Sequence, residues 1–270
     1  MKLLHKWQTE ALSWKMVVSF SDSRQELQEF LDFKAQQYEQ PAFIATDPIS
    51  LAHRFTQKED IEIVAFFMAI LAWGNRQSII KSGEKLLTIL GPEPQQYVLN
   101  YNDGDCPQFV HRTFNQTDLN GFLLGLKAIY LQGDLENAFT CSHAEPSLFD
   151  HICAFRERFI PYLEPRTLKH IADPAHGSAA KRLVMFLRWM VRSNANGVDF
   201  GLWSSISPSQ LMIPLDVHTG NIARKLGLLK RSQNDWKTNE ELIGILRTFD
   251  PGDPAKYDFA LFGLGAFEKF

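Results

Sequence analysis

Cysteine is scarce: Cys106, Cys141 and Cys153 are the only three in 270 residues. Odd in number, far apart and never in a Cys-x-x-Cys pattern, they exclude a disulfide framework and supply no ligand set for zinc or an iron–sulfur cluster. No metal and no cofactor is expected, and the thiols read as reduced side chains of a cytoplasmic protein. Long apolar runs are missing as well. His5, Lys6, Gln8, Glu10 and Lys15 break up "MKLLHKWQTEALSWKMVVSF", so it lacks a signal-peptide core. Nothing approaches the ~20 apolar residues of a membrane span. The chain is expected in the cytoplasm as a monomer, with no membrane partner. Alternating strand patterns, internal repeats, low-complexity tracts and long linkers are also lacking. A large charge of one sign is absent too, since the net charge is −3, which argues against a general nucleic-acid binder.

What is present is helical periodicity, in a chain 45% hydrophobic and 22% charged. "SRQELQEFLDFKAQQY" opens with Ser23 and Glu26 at capping-box spacing and puts Leu27, Phe30, Leu31 and Ala35 on one face. Asp47-Pro48 starts a short helix, with the aspartate as cap. "EDIEIVAFFMAILAWG" is apolar nearly all round after its first turn, as a central buried helix would be. Further helices are expected in "RQSIIKSGEKLLTIL", "LNGFLLGLKAIYLQG", "SLFDHICAFRERFIPYL", "SAAKRLVMFLRWMVRS" and "DVHTGNIARKLGL". "TNEELIGILRTF", opened by a Thr238–Glu241 box, and "DPAKYDFALFGLGAF" complete the series. The fold class expected is all-α, with an extension over 1–22 and a helical domain over 23–270.

Charge is unevenly distributed. Residues 181–231 carry eight Lys/Arg against Asp199 and Asp216, an excess of six, while the flanking segments are acidic. Such a segment reads as a localised anion-binding face or as a solvated helix surface. Three features of the last hundred residues bear on chemistry. The turn "DPAHGSAAKRL" holds Gly177 and then Ser178, expected as the next helix's N-cap. It would aim backbone N–H groups at an anion such as DNA phosphate. Lys181 opens that helix, where the dipole and partial burial disfavour an ammonium and favour a nucleophilic amine. Asp216 is the expected N-cap of the helix that follows Leu215. Flanked by apolar residues, it could also stabilise a cation or manage a proton.

These residues resemble the helix-hairpin-helix DNA glycosylase superfamily. Asp216, His218, Ile222, Ala223, Arg224, Leu226, Gly227 and Leu228 in "PLDVHTGNIARKLGL" fit its aspartate motif, with Lys225 in keeping and Asn221 where arginine is common. The 35 positions from Lys181 to Asp216 resemble the archaeal 8-oxoguanine glycosylase branch. "DPAHGSAA" departs from the superfamily's usual hairpin sequence. The likeness covers roughly residues 55–100 and 165–265.

It implies a two-lobed helical bundle with a cleft between the lobes and a hairpin-like element near 165–193. The implied activity is base excision from damaged DNA, an oxidised purine being the first candidate, through a Lys181 Schiff base assisted by Asp216, with AP-lyase cleavage. It further implies DNA contacts from Gly177, Ser178, Arg182, His218, Arg224 and Lys225. Asn75, Arg76 and Gln77 stand where the superfamily probes the opened base pair. Trp73, Trp189, Trp203 and Phe66 are stacking candidates, or core. The chain as a whole resembles domain-of-unknown-function family 2400 in "KRLVMFLRWMVR", "IPLDVHTG" and "KYDFALFGLG". Two alternatives stay open: a non-catalytic nucleic-acid-binding protein on the same scaffold, and a helical protein-interaction domain.

Overall fold

The fold was obtained as a computed structural model that describes residues 24–268 and 270. The extension expected over 1–22, and Ser23 as cap of the first helix, lie outside the described residues. Helix α1 (Arg24–Tyr38) buries Leu27, Phe30, Leu31 and Ala35, the face its period marks. After α2 (Pro41–Ile44), a 3-10 helix spans Pro48–Arg54 and starts as Asp47-Pro48 suggests, the Asp47 carboxylate accepting from Ile49 N–H at 3.1 Å. Helix α3 (Lys58–Leu71) is buried at every position from Asp60 to Leu71. Asn75 caps α4 (Arg76–Leu90), which stops at Gly91, and α5 (Pro94–Asn100) follows.

Regular secondary structure among the described residues is helical apart from one short hairpin, in the irregular stretch near 102–117. There β1 (Val110–His111) and β2 (Phe114–Asn115) pair antiparallel, Val110 opposite Asn115. Strands of two residues carry no readable alternation, which is why the pattern misses them. Capping boxes start α6 (Gln116–Tyr130) at Asn115 and Asp118, and α8 (Leu148–Phe159) at Ser147 and Asp150, with α7 (Leu135–Phe139) between them. The remaining helices are α9 (Lys181–Val191), α10 (Val217–Lys225), α11 (Trp236–Phe249) and α12 (Tyr257–Ala266). Helix α11 starts three residues before the Thr238 box predicts, because Asp235 accepts from Thr238 N–H at 2.8 Å and takes the cap position.

Phe66 on α3 is the hub of the core, its ring 5.5 Å from those of Phe155, Phe159 and Phe186 in edge-on contacts. Burial of such a ring contributes about 1.5–3 kcal/mol by transfer alone. Phe66, Trp189 and Trp203 are thus core residues, exposed by 0%, 1% and 4%. Trp73 is only partly buried. Helix α3 packs against α9, and α12 packs against both α1 and α10. Gly263 makes the α1–α12 contact possible: a Cβ there would lie 2.1 Å from the Tyr38 ring. These contacts bring the C-terminal end of α3, the start of α9, the start of α10 and the first turns of α12 together.

Candidate active site

Asp216 is extended at φ −118° and precedes the first helical residue of α10. Its carboxylate divides its work. Oδ1 accepts from Thr219 N–H at 2.8 Å, as a cap should, while Oδ2 lies 3.3 Å from Lys181 Nζ. The Asn234 side-chain amide donates to the Asp216 carbonyl at 3.1 Å, and the Asn234 Oδ1 accepts from Arg224 at 2.6 Å. Arg224 also donates to the carbonyls of Arg231 and Gln233, so it braces the loop that holds Asp216. Within "IARK", Ile222 and Ala223 are buried and Arg224 is held by these internal partners, whereas Lys225 is exposed.

Lys181 reaches the same point from α9. Its side chain is 36% exposed and is ion-paired with Asp216, whose side chain is 21% exposed. The N-cap of α9 is Ala180 rather than Ser178. Ala180 is left-handed (φ 46°), buried, and gives no side-chain cap bond. Ser178 instead pairs as a β-bridge with Asp235 and accepts from Ala180 N–H at 3.2 Å. Gly177 has the φ of 83° its position requires, closing the 3-10 turn Pro174–His176. Residues 165–193 thus hold two 3-10 turns (Thr167–His170 and Pro174–His176) and then α9. Among the described residues Ala180 and Arg112 are the non-glycine positions with positive φ. A left-handed non-glycine residue costs on the order of 1–2 kcal/mol, and such strain clusters at functional sites.

A cleft of about 400 Å³ opens over the Lys181–Asp216 pair. Trp73, Arg76, Phe262, Val217 and His218 contribute to its walls, and Asp47, Arg188 and Asp258 lie deep in it. Arg188 is buried and ion-paired with Asp258, with Asp199 3.4 Å from its other nitrogen. Burial pushes the Asp258 carboxyl up to about 6, helped by the charges of Asp216 and Asp199 and opposed by Arg188. Asp47 is also raised, again by burial first, with Arg76 and Arg188 pulling the other way. Arg76 lies 3.7 Å from Asp47 and 5.5 Å from the centre of the Phe262 ring. Asn75 caps α4 through Ser78 N–H, and Gln77 is exposed beside it. His218 is exposed on the cleft wall.

The basic segment 181–231 is mostly not a surface. Arg188 and Arg192 are buried among Asp199, Asp258, Glu39 and Asp253. Arg231 pairs with Asp235 at 2.7 Å, and Lys225 donates to the Phe270 carbonyl at 2.9 Å. Arg182 donates to the Ile70 carbonyl at 2.7 Å, and desolvation by burial lowers it to about 10. Formal charge along a sequence cannot say which arginines meet carboxylates from distant segments. Here Arg188 and Arg192 do, while Arg182 and Arg224 are held by carbonyls and Asn234, and Arg231 by Asp235 four positions on, so the charge excess does not form one anion-binding face.

Two residues outside that segment add to the rim. Arg112, at the tip of the β1–β2 hairpin, places its guanidinium 4.8 Å from the centre of the Trp73 ring, and Gly74 leaves room for it. The Trp73 indole N–H is buried without a hydrogen-bond partner. Nothing in the sequence pairs positions 73 and 112. Asp258 did leave a signal, as the carboxylate embedded in the apolar string "KYDFALFGLG". No group of three His, Cys, Asp or Glu suited to a metal occurs among the described residues, nor any helix long and apolar enough to cross a membrane.

The family model described as "Protein of unknown function (DUF2400)" matches residues 47–267, and the chain belongs to that family. No curated protein and no solved structure matches it.

Proposed function

We propose that this DUF2400 chain is a lysine-dependent DNA glycosylase with AP-lyase activity. The observation that carries the reading is the 3.3 Å approach of Lys181 Nζ to Asp216 Oδ2 over a cleft with an indole and two arginines on its rim. The superfamily resemblance of the "PLDVHTGNIARKLGL" motif supports it, and a two-lobed helix-hairpin-helix bundle belongs to the same proposal.

A nucleotide extruded into the cleft would cover the ion pair and remove water from it. Transfer of the Lys181 proton to Asp216 frees the amine, and Asp216 then hands that proton to the departing base and is again a carboxylate. The free Lys181 amine attacks C1′ of the sugar. The bond from C1′ to the base breaks, and its electron pair leaves with the base, which takes up a proton. Opening of the C1′–O4′ bond yields the Schiff base. Loss of a C2′ proton then expels the 3′ phosphate. Asp216 stabilises the cationic sugar and assists proton transfer, held in place by its bond to Thr219 N–H. The base to be excised is proposed to be an oxidised purine, and unstacking it costs a few kcal/mol.

The test is covalent trapping. The protein is incubated with duplexes carrying 8-oxoguanine, uracil or an abasic site in the presence of borohydride, beside Lys181→Ala and Asp216→Asn. The expected result is an adduct that requires Lys181. Salt-sensitive binding without an adduct at the abasic site would favour a non-catalytic binder. Absence of DNA binding at low salt would sink both.

A further inference from the structure

A second cavity, of about 630 Å³, has Lys181 but not Asp216 in its lining. We propose that it binds a phosphomonoester, the terminal phosphate of a nucleotide or of a nucleic-acid strand. Arg156, Lys169, Lys181 and Arg182 line it against a single carboxylate, Asp173. Two of the four cations are matched: Arg156 by Asp173 at 2.6 Å, and Lys181 by Asp216. Lys169 and Arg182 have no ion-pair partner among the described residues.

Arg182 makes the stronger case. It is partly buried, its partners are the Ile70 and Lys169 carbonyls, and desolvation has already lowered it to about 10. A guanidinium removed from water without a carboxylate is costly, and an incoming anion offsets that cost. The positive field is also visible at His170 behind the cavity. Burial first, then the charges of Arg182, Lys169 and Arg166, hold that imidazole down at about 4 despite nearby Asp118.

Two unmatched cations fit a monoester better than a phosphodiester. A monoester carries about −1.5 to −2 charge at neutral pH, whereas each backbone phosphate carries one. Arg182 keeps N–H groups beyond those given to its two carbonyls for such oxygens, and Lys169 is exposed on the 3-10 turn beside it. The lining also includes apolar Trp73, Leu168 and Ile171, which suit the sugar or base of the same nucleotide. Trp73 and Lys181 line both cavities, so a strand end bound here would lie beside the Lys181–Asp216 pair. Strand cleavage by elimination would generate such an end, but the site needs no catalysis by Lys181 to bind it.

Calorimetry on the full chain tests this with three probes: a 5′-phosphorylated hexanucleotide, its 5′-hydroxyl counterpart and deoxyadenosine 5′-monophosphate. The phosphorylated strand is expected to bind about tenfold more tightly than the hydroxyl strand. Lys169→Ala and Arg182→Gln should each remove most of that preference, and Lys169→Ala, at an exposed position, keeps the test valid if the Arg182 variant misfolds. Competition by the mononucleotide assigns the site to free nucleotides as well; its absence assigns the site to strand ends. Equal affinity for the two strands, or a preference untouched by Lys169→Ala, overturns the proposal. Borohydride trapping of Lys181 reads the other site, so either idea can fail while the other stands.

Discussion

Lys181 and Asp216 are 35 positions apart in the chain and 3.3 Å apart in the fold. The carboxylate that meets the lysine also caps α10, so its two oxygens perform separable tasks. Asparagine caps about as well as aspartate, whereas alanine costs roughly 1 kcal/mol. Asp216→Asn should therefore melt in urea within about 0.5 kcal/mol of the parent, and Asp216→Ala about 1 kcal/mol lower. If the carboxylate acts on the sugar cation, both should slow adduct formation by about 100-fold or more. Loss of adduct in Asp216→Ala with normal kinetics in Asp216→Asn would reduce Asp216 to a cap.

The stack of Arg112 on Trp73 is the second relationship with a measurable consequence. The guanidinium lies over a ring that lines both cavities, and its backbone is held at φ 56°. A base that uses the Trp73 ring would replace or share this contact, with stacking worth about 1–3 kcal/mol. Trp73→Ala is expected to weaken binding to a duplex carrying 8-oxoguanine by about tenfold or more, with little change on a duplex carrying an abasic site. Arg112→Ala, which removes an exposed cation–π contact of about 0.5–1 kcal/mol, should leave the melting temperature nearly unchanged. Equal affinity of Trp73→Ala and parent would place the base elsewhere.

Where the arginines go sets the salt dependence. Taken at face value, the excess of six charges over 181–231 would give a steep slope of affinity against salt. Arg188, Arg192, Arg224 and Arg231 are held by internal partners, and Lys181 and Arg156 are paired with Asp216 and Asp173, which leaves Arg76, Arg112, Lys169 and Arg182 as the exposed or half-exposed cations around the two cavities. With about 0.9 counterions released per phosphate contact, four contacts give a slope near −4 for duplex DNA. A slope steeper than about −6 in a filter-binding titration would mean that the internal arginines are released on binding.

The helices were legible because apolar period survives in a single chain: α1, α3 and α4 fall where their patterns put them. Asp216 as a cap facing Lys181 was legible for a similar reason, since both residues open helices and capping is local chemistry. The partners of Arg188 and Arg192 were not. Those residues lie seven and eleven positions after Lys181 on an apolar helix, and read equally as a basic stripe. Of their carboxylates, Asp199 lies seven positions after Arg192, but Glu39, Asp253 and Asp258 come from distant stretches that only folding assembles. Ser178 failed as a cap for a local reason. Its backbone is taken by the bridge to Asp235, and the chain turns through a left-handed Ala180 before α9 begins.

Glu62 gives the molecule a pH dependence that can be read away from the cleft. It is fully buried on α3, accepts from the Tyr130 hydroxyl at 2.8 Å and the Trp203 indole at 2.6 Å, and has Lys58 at 3.7 Å. Burial pushes its carboxyl up to about 7, although those two donors and Lys58 pull it down. An acid raised in the folded state binds its proton more tightly there than in the unfolded chain. Its contribution is complete below the unfolded value near 4.5 and is lost as pH rises through about 7. Glu62→Gln keeps an acceptor for Trp203 and a donor for Tyr130 without titrating. Between pH 5 and 8 the parent should lose up to about 3 kcal/mol that the variant keeps. Urea melts at the two pH values check this, and parallel pH profiles for parent and Glu62→Gln would show that Glu62 is already ionised in the core.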